Sequence, residues 1–199
     1  IEALLFGTAG FLDNENDDYQ KKLKAEYEFL SKKYSLIKID RLEWKFLRTR
    51  PGNFPTIRIA QAAQLIIKLD RLFDYFIENF DYKSIISDFS IGTSKYWVEH
   101  YDFNKKSKKS LGAFGKSSIE NIIINTQVPL LGAYAKATDK SFYFEKAISL
   151  LENLKAEKNN ITAKWNDKFV INTAFDSQAL IEQYNEYCLP KRCLQCVIG

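Results

Sequence analysis

Apolar residues recur at helical spacing along almost the whole chain. Asp17 and Asp18 open a stretch to Tyr34 in which Leu23, Tyr27 and Leu30 share one stripe. The two acids sit where the positive end of a helix dipole favours them. Residues 35–50 follow no clean period, with room for a short extended piece at Leu36–Ile39. Pro51, Gly52, Asn53 and Pro55 form a tight loop that feeds a helix over 56–73, apolar on nearly every side and so expected to be central. Shorter helices are predicted over 82–89 and 94–101, followed by a polar loop over 104–115. Ser117 and Glu120 have the S-x-x-E spacing of a capping box, ahead of a helix carrying Ile119, Ile122 and Ile123. Pro129 must end or kink that helix, because it lacks an N–H and its ring meets the preceding turn. Three further helices fit 140–155, 160–168 and 175–188. No internal repeat and no long linker interrupts the series. The expected architecture is all-α: a single irregular helical domain of about eight or nine helices.

Composition agrees with this reading. The 199 residues suit one domain. Aromatics at 15% supply ample core, and only 8 Gly and 4 Pro argue against a many-turned β protein. The net charge of +4 fits a polyanionic partner without demanding one. Three Cys leave one thiol over in any disulfide framework, which points to a reducing, cytoplasmic compartment. No apolar stretch approaches the roughly 20 residues of a membrane span, and the run Ile1-Glu2-Ala3-Leu4-Leu5 has no signal-peptide character. With no Met, the chain reads as a fragment that opens inside a helix.

Two familiar motifs fail on spacing. Gly115-Lys116-Ser117 would close a phosphate loop, but the first glycine of that loop falls at Ser110. Asp13, Glu15 and Asp17 alternate like a calcium loop, yet its sixth and twelfth positions hold Asp18 and Lys24. Nothing assembles a catalytic constellation: the chain has one His, no nucleophile elbow and no helical Glu-x-x-His.

Three clusters carry candidate chemistry. Arg48, Arg50 and Arg58, half of all the arginines, flank the 51–55 turn among aromatics and ahead of a helix N-terminus. Guanidinium forks beside unpaired helix amides make an anion site. The alternative is local pairing, with Arg58, Gln61 and Lys68 as the polar stripe of a buried helix. Lys105, Lys106, Lys108, Lys109 and Lys116 crowd an exposed loop, either as a phosphate-backbone contact or as a solubilising surface. Finally, Cys188, Cys193 and Cys196 lie together in the tail. With His100, the only imidazole, they supply the four ligands of a structural zinc. Buried thiols or a redox-active Cys193–Cys196 pair are the alternatives.

The chain also resembles the C-terminal half of the bacterial family called domain of unknown function 2851. The matching phrases are EALLFGTAGFL, WKFLRTRPGNFPTIRIAQ, YWVEHYDF, GKSSIENIIINTQVPLL, AEKNNIT, FDSQALIEQYNEYC and KRCLQCVIG. The resemblance implies an upstream half that is a mixed α/β module, loosely like a restriction-endonuclease core, with a Glu-Ile-His phrase that this chain lacks. It supplies no substrate, metal or catalytic residue. Together these readings predict a helical nucleic-acid- or anion-binding accessory module. Its partners would be the missing N-terminal half and DNA or RNA, with no membrane. A non-catalytic scaffold or protein-interaction domain is the other expectation.

Overall fold

The computed structural model of this chain describes every residue except 15, 16, 48, 109–111 and 199. The protein is predominantly helical, with one two-stranded hairpin among the described residues. None of the described helices is long and apolar enough to cross a membrane. Two compact units emerge: Ile1–Leu72 with Ser87–Lys116, and Phe73–Ile86 with Ser117–Gly199.

In the first unit, α1 (Glu2–Thr8) and α2 (Asp18–Tyr34) pack closely. Gly7 makes this possible, since a methyl there would overlap the Tyr27 ring. Asp17 is the N-cap of α2, accepting from the Gln20 N–H at 2.8 Å, and Lys32 and Lys33 occupy the negative end. Residues 36–47 form no strand. The Ile39 N–H donates to the Thr8 carbonyl, and Asp40 caps a single 3-10 turn, Arg41–Glu43. Trp44 donates its indole N–H to the Ala9 carbonyl at 2.9 Å. The core gathers Phe6, Phe11, Ile57, Trp97 and Phe103, flanked by Trp44 and Phe46.

The central helix, α3 (Pro55–Leu69), starts with proline at its first position, where no N–H is missed. It ends earlier than its apolar run implies, at Asp70 with φ 35. It buries Ile57, Ala60, Ala63 and Leu65, but Ile67 is 54% exposed, so one face rather than every face is covered. Next come α4 (Leu72–Glu78), α5 (Tyr82–Phe89) and α6 (Lys95–Glu99). The helix expected to reach residue 101 instead stops at Glu99 and enters a hairpin, β1 (His100–Asp102) and β2 (Lys105–Lys106), turning at Asn104 with φ 57. The buried Asp102 stabilises that turn, accepting from the Phe103 N–H and the Lys105 ammonium.

In the second unit, α7 (Lys116–Ile122) and α8 (Val128–Thr138) are joined without a break by a π turn, Ile123–Gln127. Pro129 therefore neither ends nor breaks the rod. The widened π turn just before it absorbs the missing hydrogen bond and the ring. The link 139–141, with Asp139 at φ 54, folds α9 (Phe142–Asn153) back on α8. The buried Gln127 donates to the Phe76 and Asn79 carbonyls at 3.1 and 2.7 Å, binding the end of α4 to this pair. Ser117 lies inside α7, past the position an N-cap requires. The capping box in this unit is Thr173 with Asp176, which opens α10 (Ala174–Gln183). A second π turn, Tyr184–Cys188, extends α10, and Pro190 follows it.

Candidate functional site

The basic turn and the lysine loop meet in the first unit. Pro51–Asn53 forms a 3-10 turn closed by the Asn53 N–H on the Arg50 carbonyl at 2.7 Å. Arg58, in the first turn of α3, reaches back to that turn. Its Nη2 donates to Asn53 Oδ1 at 2.7 Å and its Nη1 to Gln61 Oε1 at 2.9 Å. Both acceptors are amide oxygens, which take an N–H without carrying charge. The guanidinium also lies over the Phe114 ring at 5.7 Å, and burial lowers its pKa from the usual arginine value. Arg50 is exposed. Arg48 falls outside the described residues.

The hairpin docks on the same helix end. Thr56 donates its hydroxyl to the Tyr101 carbonyl at 2.6 Å, and Phe54 meets the Tyr101 ring edge-on at 5.6 Å. β2, paired with β1, carries Lys105 and Lys106. Lys105 is committed, with Nζ 2.9 Å from Asp102, a carboxylate that also has Arg41 at 3.6 Å. Lys106 and Lys108 are exposed, and Lys109 lies outside the described residues. The N-cap of α3, Phe54, offers no side-chain acceptor, so the first amides of that helix are not capped by it.

A second polar constellation surrounds His100. Asp17 accepts from the Tyr96 hydroxyl and from the Asn104 N–H at 2.9 Å, in addition to its capping bond. Burial raises the Asp17 pKa, but the donors Tyr96, Gln20 and Asn104 and the nearby His100 outweigh it, and the carboxyl is held below its usual value. Tyr19, Tyr96 and His100 stack in series, each neighbouring pair 4.1 Å apart. Burial, reinforced by the Glu2 carboxylate for Tyr19 and by Asp17 for Tyr96, pushes both phenols well above the ordinary tyrosine value. His100 places Nδ1 2.9 Å from the Tyr96 carbonyl, which can only accept, so that nitrogen carries a proton.

All three cysteines are free thiols, and they belong to the second unit, whereas His100 belongs to the first. Among the described residues no group of three or more His, Cys, Asp or Glu side chains is arranged to hold a metal ion. The second unit also carries an open polar cleft of about 390 Å³ beside a smaller one of about 240 Å³. They share residues 156–159, which fall in the phrase AEKNNIT. The carboxylates lining the two clefts are already engaged: Glu120 accepts from the Tyr82 hydroxyl at 2.7 Å and Glu157 from the Gln178 amide.

Sequence reading missed Asp17 as a hub and Thr56, Tyr101 and Phe114 as the residues that join the two basic segments. Of these, only Asp17 left a local signal, its place just ahead of an amphipathic run. The other contacts connect positions 45 and 56 residues apart, which no local pattern records.

No curated protein and no solved structure matches the chain. A family model, described as "Protein of unknown function (DUF2851)", matches residues 1–160. That stretch holds the whole first unit, the hairpin, the basic turn and the α8–α9 pair, and on that match the chain belongs to the DUF2851 family.

Proposed function

We propose that the first unit presents a polyanion-binding surface and that the chain is a helical nucleic-acid-binding accessory module. The observation that carries this reading is the junction at Tyr101. It sets the hairpin that bears Lys106, and the loop to Lys108, against the helix end that bears Arg58 and the turn that starts at Arg50. Two basic segments far apart in sequence are thus joined within one unit. The partly exposed Phe54 and Tyr101 place aromatic rings near these cations, the mixture that single-stranded nucleic acid uses for stacking.

The test is fluorescence anisotropy of the full chain with single-stranded DNA, single-stranded RNA and duplex DNA at two salt concentrations. The expected result is binding at low salt that falls steeply as salt rises. An Arg50→Ala/Lys106→Ala/Lys108→Ala variant changes only exposed side chains. It should bind more weakly, with a log–log salt slope flatter by about 2 for a single strand. Absence of binding at low salt, or an unchanged slope in the variant, would overturn the reading.

A protein-interaction role is the second reading. Ile37, Leu42 and Leu47 are 87%, 90% and 89% exposed in the segment that follows α2, an apolar surface that water covers poorly.

A further inference from the structure

We infer that Cys193 and Cys196 form a redox-active dithiol that exchanges with low-molecular-weight disulfides such as oxidised glutathione. The tail that bears them lies beyond residues 1–160, the stretch that the family model covers. After Cys188 the chain reverses at Lys191, which takes a left-handed conformation with φ 58. The Lys191 N–H bonds the Cys188 carbonyl at 3.2 Å, and the Arg192 N–H bonds the Tyr187 carbonyl at 2.8 Å. The reversal returns the tail to the end of α10, where Gln183 Nε2 donates to Cys196 Sγ at 2.8 Å.

Between the two cysteines the backbone winds into one 3-10 turn, closed by the Cys196 N–H on the Cys193 carbonyl at 3.2 Å. A turn closed this way keeps its first and fourth Cα atoms within about 7 Å. A disulfide spans about 4.4–6.8 Å between Cα atoms. The backbone is therefore already in the range the bond needs.

The two sulfurs differ in setting. Cys193 is exposed and open to a disulfide from solvent. Cys196 is half-buried, and its sulfur accepts from Gln183 Nε2 and from the Ile198 N–H at 3.4 Å. In the forward direction the Cys193 thiolate attacks one sulfur of oxidised glutathione. One glutathione leaves as thiolate and takes a proton from water. The Cys196 thiolate then attacks the Cys193 sulfur and expels the second glutathione. The protein loses two electrons and two protons, and one oxidised glutathione becomes two reduced ones. In the reverse direction a thiol attacks Cys193, and Cys196 departs with negative charge on the sulfur that the two N–H groups face. Cys188 lines a small cleft with Lys164, Trp165, Lys168 and Tyr184.

The test equilibrates the full chain in buffers of set reduced and oxidised glutathione, followed by acid quench, alkylation and intact mass. Wild type and Cys188→Ser should each lose two hydrogens. Cys193→Ser and Cys196→Ser should form no disulfide within the chain and carry only glutathione adducts. A flexible pair would have an effective concentration in the mM range. The preformed turn should place half-oxidation at a ratio of reduced glutathione squared to oxidised glutathione above about 10 mM. A midpoint below that value, a disulfide that needs Cys188, or an equivalent of bound zinc protecting all three thiols would each overturn the inference.

Discussion

Replacing Asp17 by Ala should destabilise the protein by about 3 kcal/mol, worked from the bonds it makes. An N-cap is worth about 1 kcal/mol. The Tyr96 hydroxyl and the Asn104 N–H add two bonds to a charged acceptor, taken at about 1 kcal/mol each because the carboxylate is partly exposed. Asp17→Asn keeps the capping oxygen and turns an amide N–H₂ toward the other donors, so its loss should lie between zero and that of Ala. The assay is urea unfolding followed by tryptophan fluorescence, with Trp97 in the core as reporter. The pH dependence has a definite sign. The folded carboxyl is held below its ordinary value of 3.8, so its contribution is fully present above that pH. It is lost as pH falls through the lower, folded value. The gap between wild type and Asp17→Ala should stay level from neutral pH down to about pH 4 and narrow below it. A gap under about 1 kcal/mol at neutral pH, or one that stays constant into strong acid, would refute the account of Asp17 as a charged hub.

Gly10 has φ 75, and a methyl there would overlap the Ile39 carbonyl oxygen. Gly10→Ala should therefore cost about 3 kcal/mol or more in thermal or urea unfolding, whereas Gly92→Ala, facing open space, should stay within about 0.5 kcal/mol. Gln127→Glu exchanges a buried amide donor for a carboxylate facing the Phe76 and Asn79 carbonyls. It should lower stability by about 3 kcal/mol or more at neutral pH and by less in acid, where the carboxyl is protonated; equal losses at both pH values would show that charge is not the cause.

Helical class was written in the sequence because it depends on local spacing. The run from Asp18 to Tyr34 with its acidic N-terminus forms a helix over those bounds, and Tyr82–Phe89 does the same. Elements whose limits depend on neighbours were less legible. The helix ahead of His100 gives way to a hairpin because Asp102 is buried with Lys105 and Arg41, partners that the hydrophobic pattern does not weigh. Pro129 reads locally as a breaker, yet the π turn before it lets the helix continue while Gln127 ties down α4. Of the candidate anion residues, composition singled out Arg50, Arg58, Lys106 and Lys108, but it carried no sign that Lys105 is spent on Asp102 or that Arg58 is held by Asn53 and Gln61.

By itself, then, the chain's order of apolar, charged and turn residues determined the helical class and most of the helices, though not over 160–168, where a helix was expected and only a 3-10 turn, Thr162–Trp165, forms; it also determined which loops are basic and that the thiols cluster at the tail, since each of these is a property of residues a few positions apart. Only the tertiary structure decided that the chain divides into two units, that Thr56 and Tyr101 bring the basic turn and the lysine hairpin together, and that Gln183 meets Cys196. Those outcomes depend on side-chain packing and hydrogen bonds between distant positions, whose geometry exists only once the backbone has closed on itself.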